Sequence, residues 1–242
     1  MSWRETLRRT FPESVPFLWL LERSAGLLAR AGFTRANTLC ANVTCRDELM
    51  SPWVQRMAAI WGENFDLAGL GGFPSAGVTG FRACAAHVPD GGHLLVVYGA
   101  HVGISDAGSL GRVRRPGMAQ ETSACGAVLG LLARITADPG YAPVDDPLDV
   151  EQGALERDLV PLRGRILTAA DPVAAITAAA YNVVDGRLLE IVAASGYAGN
   201  IALLGGITVH LPRPATDRFV PYRFEVRRAG TRVTDLRPEL SP

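Results

Sequence analysis

The apolar run at residues 94–98 (Leu94, Leu95, Val96, Val97, Tyr98) is the clearest strand in the sequence, and the segments around it fix the class of fold. A tight turn at Pro89-Asp90-Gly91-Gly92 precedes it, and His101 sits just beyond its expected end. Residues 38–44, apolar or β-branched in most positions, read as a buried strand that delivers Cys45 at its carboxyl end. Between these strands, Trp53, Met57, Ile60, Trp61 and Phe65 form one apolar stripe, which predicts a helix packed on the core. Ser123 is placed to cap a helix over residues 124–135, with Cys125 in its first turn. Helices follow at 150–160, 171–182 and 187–195, and strands at 201–211 and 219–226. Interleaved strands and helices indicate a single layered α/β domain with a mixed, mainly parallel central sheet flanked by helices. Residues 1–34, where Phe17, Leu18, Leu20, Leu21, Leu27 and Leu28 recur at helical spacing, read as an N-terminal helical segment forming a lid or outer layer. Residues 35–242 remain for the α/β domain.

Composition narrows the function. Lys plus Arg number 24 against 24 Asp plus Glu, and every one of these basic residues is arginine. Chemistry that needs a lysine is excluded, whether a pyridoxal Schiff base, a Walker A lysine or a lysine base. A net charge of zero argues against nucleic acid as a partner, since such binding rests on a basic face that displaces counterions. With 48% hydrophobic residues the chain can bury a sizeable core. It lacks the run of roughly 20 apolar residues needed to span a bilayer. Residues 15–21 imitate a signal peptide poorly, because they contain Pro16 and are followed by Glu22 and Arg23. A cytoplasmic protein without a membrane partner is expected. Cys40, Cys45, Cys84 and Cys125 are too few for a disulfide scaffold, so core packing, metal binding or catalysis is their expected use.

In α/β sheets, ligands collect outside the carboxyl ends of strands. Cys45 closes one strand, His101 closes another, and Cys125 opens a helix whose amino end favours the thiolate. Two thiolates and an imidazole suit zinc and leave a fourth tetrahedral position for water or substrate. Asp47 follows Cys45 by two residues, where it either accepts a hydrogen bond from water at that position, fills the position itself, or simply caps a helix. Cys40 and Cys84 have apolar neighbours and read as core. His93 and His210 read as packed or surface histidines, whereas His87 either lines a cleft or bonds within its turn.

At these residues the sequence resembles the limiting CO2 inducible protein B/C family, the theta-class carbonic anhydrases. The resemblance is carried by Gly69-Leu70-Gly71-Gly72-Phe73-Pro74, Gly77-Val78-Thr79-Gly80-Phe81, His87-Val88-Pro89-Asp90-Gly91, Gly99-Ala100-His101-Val102-Gly103-Ile104, Arg115-Pro116-Gly117 and Ser123-Ala124-Cys125-Gly126-Ala127. It continues to Leu204-Gly205-Gly206-Ile207 and Phe224-Glu225-Val226 and covers residue 35 onward. It implies a fold similar to the beta-class carbonic anhydrases, a homodimer, and zinc held by Cys45, His101 and Cys125. The implied reaction is reversible hydration of CO2 to bicarbonate, a lyase activity in which zinc acidifies water. It also implies an arginine that keeps Asp47 off the metal. Residue 49, where the simplest pattern has that arginine, is Leu49, and Arg46, Arg56 and Arg82 are the candidates to replace it. Val78 stands where relatives often have lysine. His87 is the candidate proton shuttle, and Phe81, Val102 and Ile104 are candidate walls for CO2.

Three rival readings keep the same residues in view. Cys125 could be a metal-free nucleophile for hydrolysis or acyl transfer, activated by the helix end and by His101 or His87. The protein could bind zinc without catalysis, Asp47 being a permanent ligand. The glycines at residues 69–77 could cradle a phosphate, although no complete nucleotide fingerprint follows a strand.

Overall fold

The computed structural model describes residues 2–228 and 233–240, so the far end of the expected domain, 241–242, lies outside it. In chain order the strands are β1 (Val15–Pro16), β2 (Thr38–Val43), β3 (Asn64–Asp66), β4 (His93–Gly103), β5 (Arg112–Val113), β6 (Thr122–Ser123), β7 (Asn200–His210), β8 (Arg218–Arg227) and β9 (Val233–Asp235). The helices are α1 (Trp3–Thr10), α2 (Phe17–Arg30), α3 (Ser51–Trp61), α4 (Gly77–Ala85), α5 (Gly126–Ala137), α6 (Val150–Leu159), α7 (Arg163–Leu167) and α8 (Pro172–Ser195). One seven-stranded sheet has the order β1-β8-β7-β4-β2-β3, with β9 also on β8. β3, β2, β4 and β7 are parallel, and β8 returns antiparallel with β1 and β9 on it. This is the mixed, mainly parallel sheet that the sequence predicts. The crossovers place α3 against β2 and β3 on one face, and α8, with α4 and α5 packed on it, against β4 on the other. On the first face Trp53 stacks between Phe17 and Phe219, at 4.2 and 5.2 Å between centroids. Val15 and Pro16 pair with β8, and Leu20, Leu21, Leu27 and Leu28 join the same core as the sheet.

Several boundaries differ from the expectations, each for a local reason. The stripe from Trp53 breaks at Gly62, whose φ of +96° ends α3, so Phe65 lies in the edge strand β3. Residues 172–195 form one helix through Gly186 rather than two. The glycine-rich segment packs on the sheet: a Cβ on Gly72 would lie 2.2 Å from the Gly99 carbonyl oxygen, so the turn lies directly on β4. Gly99 itself has φ +146° and faces Gly206 on β7, where a Cβ would come within 1.8 Å of backbone oxygen. The two long central strands can approach here only without side chains.

Candidate metal centre

β2 and β4 run parallel side by side, and the order of the strands switches between them: β3 lies beyond β2 and β7 beyond β4. The chain leaves β2 through α3 on one face and leaves β4 towards α5 and α8 on the other, which opens a crevice outside their carboxyl ends. Cys45 sits just beyond β2 and bridges in parallel to Gly69. His101 lies inside β4, which continues to Gly103 instead of stopping at Tyr98. Cys125 is the N-cap residue of α5 rather than part of its first turn. Ser123 does not cap the helix, because β6 pairs it with Arg112 and its carbonyl accepts from Arg115.

These three segments bring three donors together. The Cys45 and Cys125 sulfurs are 3.6 Å apart, and they and a ring nitrogen of His101 lie within 4.8 Å of one another. All three residues are at most 5% exposed. Metal–sulfur bonds of about 2.3 Å in a tetrahedron place two sulfurs about 3.8 Å apart, near the observed separation. His101 Nε2 is buried without a hydrogen-bond partner among the described residues, a costly state that a cation between it and the sulfurs would relieve. The residues present therefore fit a metal ion. The two sulfurs share a hydrogen bond. The bond to Cys125, followed by burial and by His101, sets the balance at Cys45, whose pKa falls to about 4; the same bond and burial push the Cys125 thiol up. The Ala127 and Val128 amides at the start of α5 work the other way and favour a Cys125 thiolate.

Asp47 stands at the rim of this cluster, with Oδ2 4.0 Å from His101 Nε2. Its Oδ1 accepts from the Leu49 amide at 3.1 Å, so it does cap the short helical turn that follows. Both its oxygens also accept from Arg115 Nη2, at 3.0 and 2.8 Å. Burial opposes its charge, but His101, the Leu49 amide and Arg115 hold the carboxyl below its usual range. Arg115 is further fixed by Glu48, Thr122 and the Ser123 carbonyl.

The sequence profile described as "Limiting CO2-inducible proteins B/C beta carbonic anhydrases" matches residues 15–228. The chain belongs to this family. Its fold is similar to the crystal structure of PtLCIB4, a homolog of the limiting CO2-inducible protein LCIB, with a TM-score of 0.89 and 31% identity over 96% of this chain and 98% of that one. A point mutant of PtLCIB4 matches at TM-score 0.84 and 31% identity, covering 96% and 97% of the two chains. LCIB itself shares the fold at TM-score 0.77 and 24% identity, covering 95% and 97%. No curated protein sequence matches.

In this limiting CO2-inducible family member, several expected site residues go elsewhere. Arg46 does not hold Asp47: it reaches back to the Ala68 carbonyl at 3.1 and 3.0 Å and pairs with Glu151 at 2.9 Å. Arg82 donates to the Ala194 and Ser195 carbonyls, and Arg56 is exposed on α3. The arginine on Asp47 is Arg115, which the quoted motif contains but which no spacing linked to Asp47. His87 is exposed, 2.7 Å from the Ala83 carbonyl and against Phe65 of the edge strand, so it is not part of the cluster. Cys40 and Cys84 are buried in the core, and burial pushes both thiols up to about 12. Phe81 packs on Tyr197 in the α4–α8 layer, Val102 is buried in β4, and Ile104 lines a cleft of about 510 Å³. Arg115, His210 and Asp217 also line that cleft. A separate hollow of about 290 Å³ reaches Cys45 and Asp47 past Met50 and Val54. The sequence reads His210 as a packed or surface histidine, yet its ring meets that of His101 at 5.2 Å between centroids.

Proposed function

We propose that this protein hydrates CO2 reversibly to bicarbonate, with zinc held by Cys45, His101 and Cys125. The observation that carries the reading is the Asp47–Arg115 pair. With both carboxylate oxygens engaged by one guanidinium, Asp47 stands beside the three donors instead of completing their set, and a fourth position stays free for water. When bound, zinc supplies the Lewis acidity that brings the pKa of water from 15.7 down towards about 7. Asp47 then accepts a hydrogen bond from the attacking water and orients it, while Arg115 fixes Asp47. CO2 needs only a path to the three donors, and the hollow beside Met50 and Val54, which Cys45 and Asp47 also line, offers one. The rival role for Cys125 as a free nucleophile loses support from its 2% exposure and its raised thiol. Four free cysteines suit a reducing compartment, so we place the protein in the cytoplasm, acting there as the homodimer that the family resemblance implies.

Zinc quantification combined with stopped-flow CO2 hydration across pH tests the reading. The expected result is one zinc per chain and measurable turnover. Cys45→Ala, His101→Ala and Cys125→Ala should each lose most of the metal, and retention of full zinc by all three would overturn the ligand set. Asp47→Ala should keep zinc and lose roughly 10–100-fold in rate. Light scattering on the same sample reads the oligomeric state.

A further inference from the structure

An imidazole binds a cation only through a nitrogen that has a free lone pair, so a ligand histidine must carry its ring proton on the other nitrogen. For His101, whose unpartnered Nε2 belongs with the two sulfurs, that means a proton on Nδ1. The neighbouring strand supplies the partner. β4 and β7 pair His101 with Thr208 and Gly103 with His210, so His210 lies one same-face step further along the sheet. Its Nε2 is 3.1 Å from His101 Nδ1, and the rings are inclined at 80°. On the far side, His210 Nδ1 is 2.9 Å from Asp217 Oδ2. The other carboxylate oxygen, Oδ1, accepts from the Leu211 amide at 3.1 Å.

The direction of every proton in this chain follows from its last member. A carboxylate only accepts, so His210 carries a proton on Nδ1, and as a neutral ring it presents a lone pair at Nε2. His101 must then donate from Nδ1, which leaves its Nε2 lone pair facing Cys45 and Cys125. We infer that Asp217 and His210 are positioning residues that lock His101 in the one tautomer able to bind a cation beside the two sulfurs. The inference rests on the metal reading above. Two electrostatic facts agree with it. Burial lowers the pKa of His210, favouring the neutral ring; burial opposes charge on Asp217 too, but the bond to His210 and the Leu211 amide keep its carboxyl below the usual range.

Asp217→Asn is the decisive variant because it keeps the shape and reverses the polarity. The Leu211 amide still needs an acceptor, so the amide oxygen stays there and the NH2 group faces His210 Nδ1. His210 would then carry its proton on Nε2 and donate to His101, whose own proton would move to Nε2 and point at the sulfurs. Nitrogen-15 NMR of the histidine rings in the full chain reads this directly, without and with zinc. The expected result is Nδ1–H on His101 in the zinc-free wild type and Nε2–H in Asp217→Asn. Zinc affinity, measured by chelator competition, should fall about 10–100-fold in Asp217→Asn. It should fall in His210→Ala and recover in His210→Gln, which restores an acceptor for His101. Thermal unfolding of each variant separates these effects from misfolding. Nε2–H on His101 in the zinc-free wild type overturns the inference whatever the metal does. A wild type that binds zinc, with affinity unchanged in both Asp217→Asn and His210→Ala, also overturns it. A wild type with Nδ1–H but no zinc affinity supports the tautomer lock and removes the metal reading instead.

Discussion

Arg115 sends one nitrogen to both oxygens of Asp47 and its others to Glu48, Thr122 and the Ser123 carbonyl, a use of the planar fork that a lysine ammonium cannot copy. Arg115→Lys should therefore keep zinc but release Asp47, with hydration falling about 10–100-fold at unchanged metal content. An unaltered rate would show that Asp47 needs no such support. At this scale the sequence is legible where chemistry and local structure coincide: Cys45 after a strand, His101 near the end of another, Cys125 at a helix start. Arg115, His210 and Asp217 are not legible, because their meaning depends on which segments become neighbours. Nothing near His210 in the chain shows that β7 lies beside β4. Leu49 points the wrong way, since the arginine arrives instead from the loop between β5 and β6.

Among the elements, β4 and β7 leave no room for a side chain where Gly99 faces Gly206. Gly99→Ala would put a Cβ 1.8 Å from backbone oxygen at a φ of +146°. The expected outcome is a loss of more than about 4 kcal/mol in urea unfolding, or no folded yield. α8 meets the sheet through Asp185, which accepts from Arg223 on β8 at 2.8 and 2.9 Å and from Tyr98 on β4 at 2.6 Å. Asp185→Ala would leave Arg223 with Glu225 as its remaining carboxylate and Tyr98 without its acceptor, and urea unfolding should show a cost of about 1–3 kcal/mol. This helix also shows why its sequence suggests two pieces. Asp185-Gly186 looks like a break, but Asp185 is tied to two strands and a Cβ at Gly186 would meet open space, so tertiary contacts carry the helix through. The strands at 201–211 and 219–226 are readable to within a residue, the first from its long apolar run and the second from the aromatic and β-branched residues Phe219, Val220, Tyr222, Phe224 and Val226.

For the molecule as a whole, Asp47, Asp185 and Asp217 each have a folded-state pKa below the ordinary carboxylate value. Groups of this kind add stability that is complete above the unfolded pKa of about 3.9 and disappears as pH falls through the lower folded values. Urea midpoints should therefore hold steady from neutrality to mild acid and drop below about pH 4. Asp185→Ala should flatten that drop, and a midpoint that rises on acidification would contradict the assignment. The order of strands in the sheet also has a consequence for biosynthesis. A nascent chain that has emerged from the ribosome as far as Cys125 already carries both thiols and the imidazole, yet β7, which walls β4 and brings His210, has still to be translated. If the cluster takes a cation as proposed, capture in the finished geometry belongs to a late stage of maturation, after the C-terminal third has threaded into the middle of the sheet.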